Sequence, residues 1–105
     1  MIAKTPEPPY YAVIFTTHRT SGDEGYAEMA AITERLVENQ PGFLGFESAR
    51  DGLGITVSYW TDLESIRKWK ENVVHSHARE MGREKWYSAY KLRIAKVERD
   101  YGFEK

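Results

Sequence analysis

The chain reads as an α+β protein with the element order β-α-β-β-α-β, the ferredoxin-like split βαβ arrangement. Three observations predict it. Residues 10–17 are rich in β-branched and aromatic residues, and 43–50, 55–60 and 87–97 also read as strands. Two stretches between them place apolar residues at helical spacing. The first strand segment is apolar on both faces, so it needs cover on both sides. The expected product is a four-stranded antiparallel sheet with helices on one face.

Each element has its own warrant. Pro6, Pro8 and Pro9 oppose regular structure, so residues 1–9 read as an N-terminal arm before a single domain, 10–105. Residues 10–17 (YYAVIFTT) put Tyr11, Val13 and Phe15 on one face and Tyr10, Ala12 and Ile14 on the other. Ser21 with Glu24 has capping-box spacing, and Asp23 suits a helix start. Tyr26, Met29, Ala30, Thr33, Leu36 and Val37 then recur at helical spacing, predicting a helix over about 23–39 that Gln40-Pro41-Gly42 stops. Residues 43–50 and 55–60 flank the turn Asp51-Gly52-Leu53-Gly54 and read as a hairpin. Tyr59 alternates with Val57 and Ile55 and is expected on the core side. Trp60 is then expected on the opposite side.

Thr61 with Glu64 offers a second capping box, and Leu63, Ile66 and Trp69 form one stripe. Val73, Val74, Ala78 and Met81 continue an apolar face past a break near Asn72, and Gly82 is expected to end or kink the segment. Residues 87–97 are the last strand. The tail carries Tyr101 and Phe103, which are expected to dock on the domain. The second sheet face needs cover, and a second copy is the simplest source, giving a homodimer with its sheets face to face.

Composition narrows the function classes. There is no Cys among the 105 residues, which excludes disulfides, thiolate nucleophiles and thiolate metal sites, and suits a reducing, cytoplasmic location. The formal net charge of −1 argues against non-specific nucleic-acid binding, which needs clustered basic residues. No apolar run reaches the roughly 20 residues that span a bilayer, and no secretory signal is legible, so no membrane partner is expected. Dinucleotide, P-loop and nucleophile-elbow motifs are absent.

Several motifs occur in order. Residues 40–48 (QPGFLGFES) resemble the PGF-x-G-x-E entry to strand two of antibiotic biosynthesis monooxygenase (ABM) domains. Residues 55–60 (ITVSYW), followed by Ile66 and Trp69, are similar to that family's third strand and Trp-bearing helix. His75, Ala78, Gly82-Arg83, Trp86-Tyr87 and Tyr90 follow its H-x-x-A…GR-x-x-WY-x-x-Y stretch. The resemblance covers about residues 10–103. It implies the dimeric α/β barrel, in which two ferredoxin-like subunits pair. It implies cofactor-independent monooxygenation of a small phenolic or enolic compound with O₂, with haem binding or degradation as an alternative. A non-enzymatic small-molecule-binding dimer is a third reading, since fold does not fix function.

Oxygenation without metal or flavin needs an electron-rich substrate, an apolar pocket, a proton acceptor and donors for developing negative charge. His75 is the candidate acid-base group, because imidazole titrates near neutral pH. A helix-surface or interface histidine is the competing reading. Arg83 is the candidate for steadying anionic oxygen, against a helix-capping or ion-pairing role. Trp69, Trp86, Tyr87 and Trp60 are the candidate substrate-contacting walls. Core packing is the alternative for Trp69, and Trp86 and Tyr87 either line a cavity mouth or pack in the core. His77 points about 200° from His75 on a helix and His18 follows the first strand, so no metal site is expected from the three. In the haem-degrading relatives an Asn of the first strand approaches the porphyrin. Residues 10–17 contain none.

Overall fold

The computed structural model describes residues 2–22 and 24–105 and shows the predicted order, with the second helical region split in two. The elements are β1 (Tyr10–Arg19), α1 (Tyr26–Val37), β2 (Phe43–Asp51), β3 (Leu53–Trp60), α2 (Leu63–Lys70), α3 (Val73–Met81) and β4 (Tyr87–Val97). A single π-helical turn, Gly82–Trp86, joins α3 to β4. The sheet order is β2-β3-β1-β4, antiparallel throughout, which is the ferredoxin-like topology. None of the described helices is long and apolar enough to cross a membrane.

Register decides which side chains share a face, because directly paired residues point the same way. Tyr11 pairs with Trp60 and Lys96, Val13 with Ser58 and Ile94, and Phe15 with Thr56 and Leu92. These rows face the helices. Ala12 pairs with Tyr59 and Ala95, and Ile14 with Val57 and Arg93, on the outer face. The expected orientations of Tyr59 and Trp60 are therefore corrected. Trp60 is 1% exposed and packs with Val37, Ile66 and Trp69 beneath the helices, while Tyr59 stands on the outer face edge-on to Tyr10 at 5.9 Å. The hairpin alternation was read correctly but its hand was not. Helix contact belongs to Trp60 because Ile66 and Trp69 of α2 follow it closely and pack back onto it, while Leu63 stays 53% exposed.

Both expected capping boxes are replaced. α1 begins at Tyr26 behind Gly25, whose φ of +83° suits glycine, and no side chain among the described residues caps it. The preceding loop is held elsewhere: Thr20 N–H donates to Trp86 O at 2.8 Å, and Trp86 Nε1 donates to Glu24 O at 2.9 Å. Asp23, expected in the first turn, lies outside the described residues. For α2 the cap is Asp62, one residue later than expected, and its carboxylate accepts from Ser65 N at 2.7 Å. Asn72 caps α3 through His75 N–H at 3.1 Å, which places the break where the sequence suggests it. The side chains of Val73 and Val74, assigned to that helix's apolar face, lie outside the described residues. α3 ends at Gly82 as expected, although its φ/ψ of −58°/−48° stays helical and the chain widens into the π turn rather than turning through a left-handed cap. A Cβ at Gly82 would come within 2.8 Å of the Tyr87 ring, so the residue is glycine for close approach.

The chain ends meet on the outer face. Ala3 N–H donates to Glu47 Oε2 at 2.9 Å, and Tyr59 Oη donates to Glu47 Oε1 at 2.7 Å. Thr5 Oγ1 donates to Tyr10 Oη at 3.1 Å, and Tyr10 Oη donates to Asp100 at 2.5 Å. The tail thus docks through Asp100. Tyr101 and Phe103, expected to dock, are 87% and 86% exposed, because no groove receives them beyond the end of β4.

Candidate active site

Trp69 sits near the C-terminal end of α2 and is buried in the core cluster. The chain breaks after Lys70, and Asn72 restarts it as α3. That bend folds the first turn of α3 over the last carbonyls of α2. His75 lies flat on the Trp69 indole, with ring centroids 4.5 Å apart and planes 12° apart. Its Nδ1 is 3.1 Å from the Trp69 carbonyl oxygen. Ser76 Oγ and Arg79 Nη2 each donate to Lys70 O at 3.1 Å. Burial pushes the His75 pKa down, and the nearby Arg79 charge acts in the same direction, outweighing the carbonyl bond. The neutral imidazole is thus the favoured form at pH 7.

Trp86 and Tyr87 form a second cluster. The π turn ends at buried Trp86, which meets Tyr26 edge-on at 5.6 Å. Tyr87 meets Tyr26 and Phe15 edge-on at 5.9 and 5.6 Å, and its hydroxyl reaches Tyr26 Oη at 3.4 Å. Burial, then the Tyr26 hydroxyl, pushes the Tyr87 pKa up, so this phenol stays protonated. The Arg19 guanidinium lies over the Tyr26 ring at 4.1 Å.

The structure brings His75 to Trp69 and Trp86 to Tyr87, but it keeps the pairs apart. Trp60 lies opposite Tyr11 and Tyr87 opposite Arg19, eight residues further along β1, so roughly 26 Å of strand separates the two ends. α3 runs between the clusters. On the helix-facing side of β4, Tyr90, Leu92 and Ile94 remain 41%, 46% and 50% exposed beside Thr17, Phe15 and Val13. This leaves an apolar trough along the β4 edge. Arg83 is exposed on the π turn and, among the described residues, makes no hydrogen bond or ion pair. Trp60, expected as a wall, is enclosed in the core and offers a ligand no surface. A cavity of about 460 Å³ touches Ser21, Gly22, Glu24 and Lys85, and one of about 220 Å³ touches Thr16, Thr17, His18, Leu53 and Tyr90. Neither includes His75 or Trp69.

Sequence reasoning passed over two positions here. Arg79 belongs to the His75 junction, and its Nε is buried with no hydrogen-bond partner among the described residues. Arg50 crosses the helix-facing side, where its Nη2 donates to Thr17 Oγ1. The Asp51-Gly52 turn signal drew attention away from Arg50, and the spacing of four from His75 would have pointed to Arg79.

The architecture is a ferredoxin-like four-stranded antiparallel sheet with its helices on one face. The chain belongs to the antibiotic biosynthesis monooxygenase family, whose model matches residues 9–81. The 82–90 stretch that contributes Arg83, Trp86 and Tyr87 lies beyond that match. The chain is 50% identical over 105 residues to the uncharacterized protein YqjZ of Bacillus subtilis, covering 98% of this chain and 92% of the relative. It is 30% identical over 92 residues to the jasmonate monooxygenase ABM of Pyricularia oryzae, covering 83% of this chain and 43% of that longer protein. Among solved structures it resembles SnoaB, a cofactor-independent oxygenase from Streptomyces nogalater, with a TM-score of 0.74 at 13% identity, covering 87% of this chain and 95% of that one. It also resembles PA3566 from Pseudomonas aeruginosa, with a TM-score of 0.71 at 14% identity, covering 92% and 100%.

Proposed function

We propose that this protein is a cofactor-independent monooxygenase that oxidises a small phenolic or enolic compound on the helix-facing side of the sheet. The observation that carries the reading is the environment of His75: a half-buried imidazole, stacked on Trp69, whose Nδ1 is engaged and whose Nε2 has no hydrogen-bond partner among the described residues. The monooxygenase named among the relatives and the cofactor-independent oxygenase of the same fold support it.

In this reading the substrate O–H gives its proton to Nε2 of His75. The resulting enolate or phenolate passes one electron to O₂. Substrate radical and superoxide combine, forming a C–O bond at a CH₂ carbon, and a returned proton gives the hydroperoxide. Its O–O bond breaks with loss of water and leaves a carbonyl. One oxygen atom enters the product, the other leaves as water, and the four electrons O₂ takes all come from the CH₂ that becomes C=O. Arg83 steadies anionic oxygen from the rim. Trp69 backs His75 from the core, and Tyr87 closes one end of the trough through Phe15 and Tyr90.

The active form in this reading is a homodimer, with a second copy covering Ala12, Ile14, Val57 and Ile55 on the outer face. Oxygen uptake with anthrone-type phenols, whose ring CH₂ can become C=O, tests the activity. Turnover should fall at least about a hundredfold in H75A, the scale expected for loss of a positioned base. Unchanged turnover in H75A would remove the central role.

One observation favours a second reading. An imidazole whose Nδ1 faces a backbone carbonyl is also arranged to offer Nε2 to a haem iron. A saturable haemin Soret shift that H75A abolishes would establish it. No shift would retire it.

A further inference from the structure

The junction between α2 and α3 does more than bury His75. A carbonyl oxygen can only accept, so the ring nitrogen 3.1 Å from Trp69 O must carry the hydrogen. In the neutral ring the other nitrogen, Nε2, then carries a lone pair. Free histidine in water favours the opposite tautomer, with its hydrogen on Nε2. Two further contacts hold the ring in this orientation. The indole of Trp69 lies parallel beneath it, and the Asn72 side chain fixes the His75 backbone through its N–H. Trp69 cannot easily move, because Val37, Trp60 and Ile66 surround it. Its carbonyl is also anchored by Asn72 N–H at 3.0 Å.

We propose that Trp69 is the positioning residue of the site: its carbonyl and its indole face hold His75 as the Nδ1–H tautomer, so that Nε2 meets the substrate as an acceptor. This deepens the reading of His75 given above and rests on it for its functional meaning. It specifies the chemistry the site takes. A ligand must bring a hydrogen-bond donor, such as a phenol or enol O–H, to Nε2. A ligand presenting only an acceptor there, such as a ketone oxygen or a carboxylate, meets lone pair against lone pair and is disfavoured. It also separates two tasks within one side chain: Nδ1 closes the end of α2, and Nε2 faces the reaction.

The test is a long-range proton–nitrogen correlation spectrum of the full protein labelled with ¹⁵N-histidine, at pH 7.5, with His75 assigned by its loss in H75N. The expected pattern is a protonated Nδ1 and a pyridine-like Nε2 for His75. His18 and His77, both exposed, serve as the internal comparison. W69F, which keeps the carbonyl and a flat ring, should retain the His75 pattern, and W69L should move it toward the ordinary mixture of tautomers. Protonation of His75 at Nε2 in the wild-type protein overturns the proposal outright, whether or not W69L folds. H75N separates cap from base: an asparagine amide can reach the Trp69 carbonyl as Nδ1 does, so stability should be kept while oxygen uptake is lost. Full uptake in H75N would overturn the functional half. A correct tautomer with no uptake on any phenol would instead strike the oxygenase reading and leave the geometry standing.

Discussion

Removal of the Tyr59 hydroxyl, in Y59F, tests the outer-face network at a single oxygen. Tyr59 donates to Glu47 at 2.7 Å, while the other carboxylate oxygen keeps Ala3 N–H at 2.9 Å. A hydrogen bond to a charged acceptor contributes about 1.5–3 kcal/mol when buried. Glu47 is only partly buried, so solvent screening brings the expected loss to about 1 kcal/mol at pH 7. For a domain near 100 residues that is roughly 4–8 °C in Tm. The pH dependence gives the sign. The Tyr59 bond and then the Ala3 N–H hold the Glu47 carboxyl below its ordinary range. A carboxyl depressed in the folded state stabilises above its unfolded pKa, and that contribution is lost as pH falls through the folded pKa. The Y59F deficit should therefore be full at pH 7 and shrink toward pH 3. The tyrosine side adds nothing in this range, because burial and Glu47 push its pKa up to about 12. Urea unfolding at pH 7 and pH 3.5, at one protein concentration, reads the difference. A deficit equal at both pH values, or none at pH 7, would refute the network's assigned role.

Three further outcomes follow from packing. W60A should cost about 3–5 kcal/mol by urea unfolding, because it empties the most enclosed site in the core. G82A should cost about 1–3 kcal/mol and disturb the near-ultraviolet dichroism of Tyr87, because the new methyl group meets that ring at 2.8 Å. The double change Y101S/F103S should shift stability by no more than about 0.5 kcal/mol, because both rings stand in solvent. A larger loss there would place them in an interface between copies.

The sheet was legible because the strands carry local signals: 10–17 is a run rich in β-branched and aromatic residues after Pro9, and 43–50 and 55–60 flank a turn of glycines. Helix starts were less so. Ser21–Glu24 and Thr61–Glu64 have the right spacing, but the loop before α1 is claimed by Trp86, 62 positions from Glu24, and Asp62 outcompetes Thr61 by one residue. Long-range claims of that kind leave no periodicity to read. The hand of the β2–β3 hairpin was misread for a related reason. Ile55, Val57 and Tyr59 share one face, against Thr56, Ser58 and Trp60 on the other, so alternation favoured the wrong face; the single large Trp60, buried against the helices, decides it. At the candidate site the residue types were visible. The stacking of His75 on Trp69 was not, because it depends on the bend at Asn72 turning a six-residue separation into a contact.

The Tyr10 hydroxyl joins Thr5 to Asp100, two positions 95 apart in the chain, through a pair of hydrogen bonds. Closing a loop of that length in an unfolded chain costs about 4 kcal/mol, more than two such bonds return. The clasp therefore cannot guide folding. It forms only after β1 has paired with β4 and brought its ends together, and it opens first when that pairing frays. Its kinetic signature is a change in the unfolding rate alone, which makes Tyr10 a reporter on the last step of assembly rather than a contributor to the nucleus.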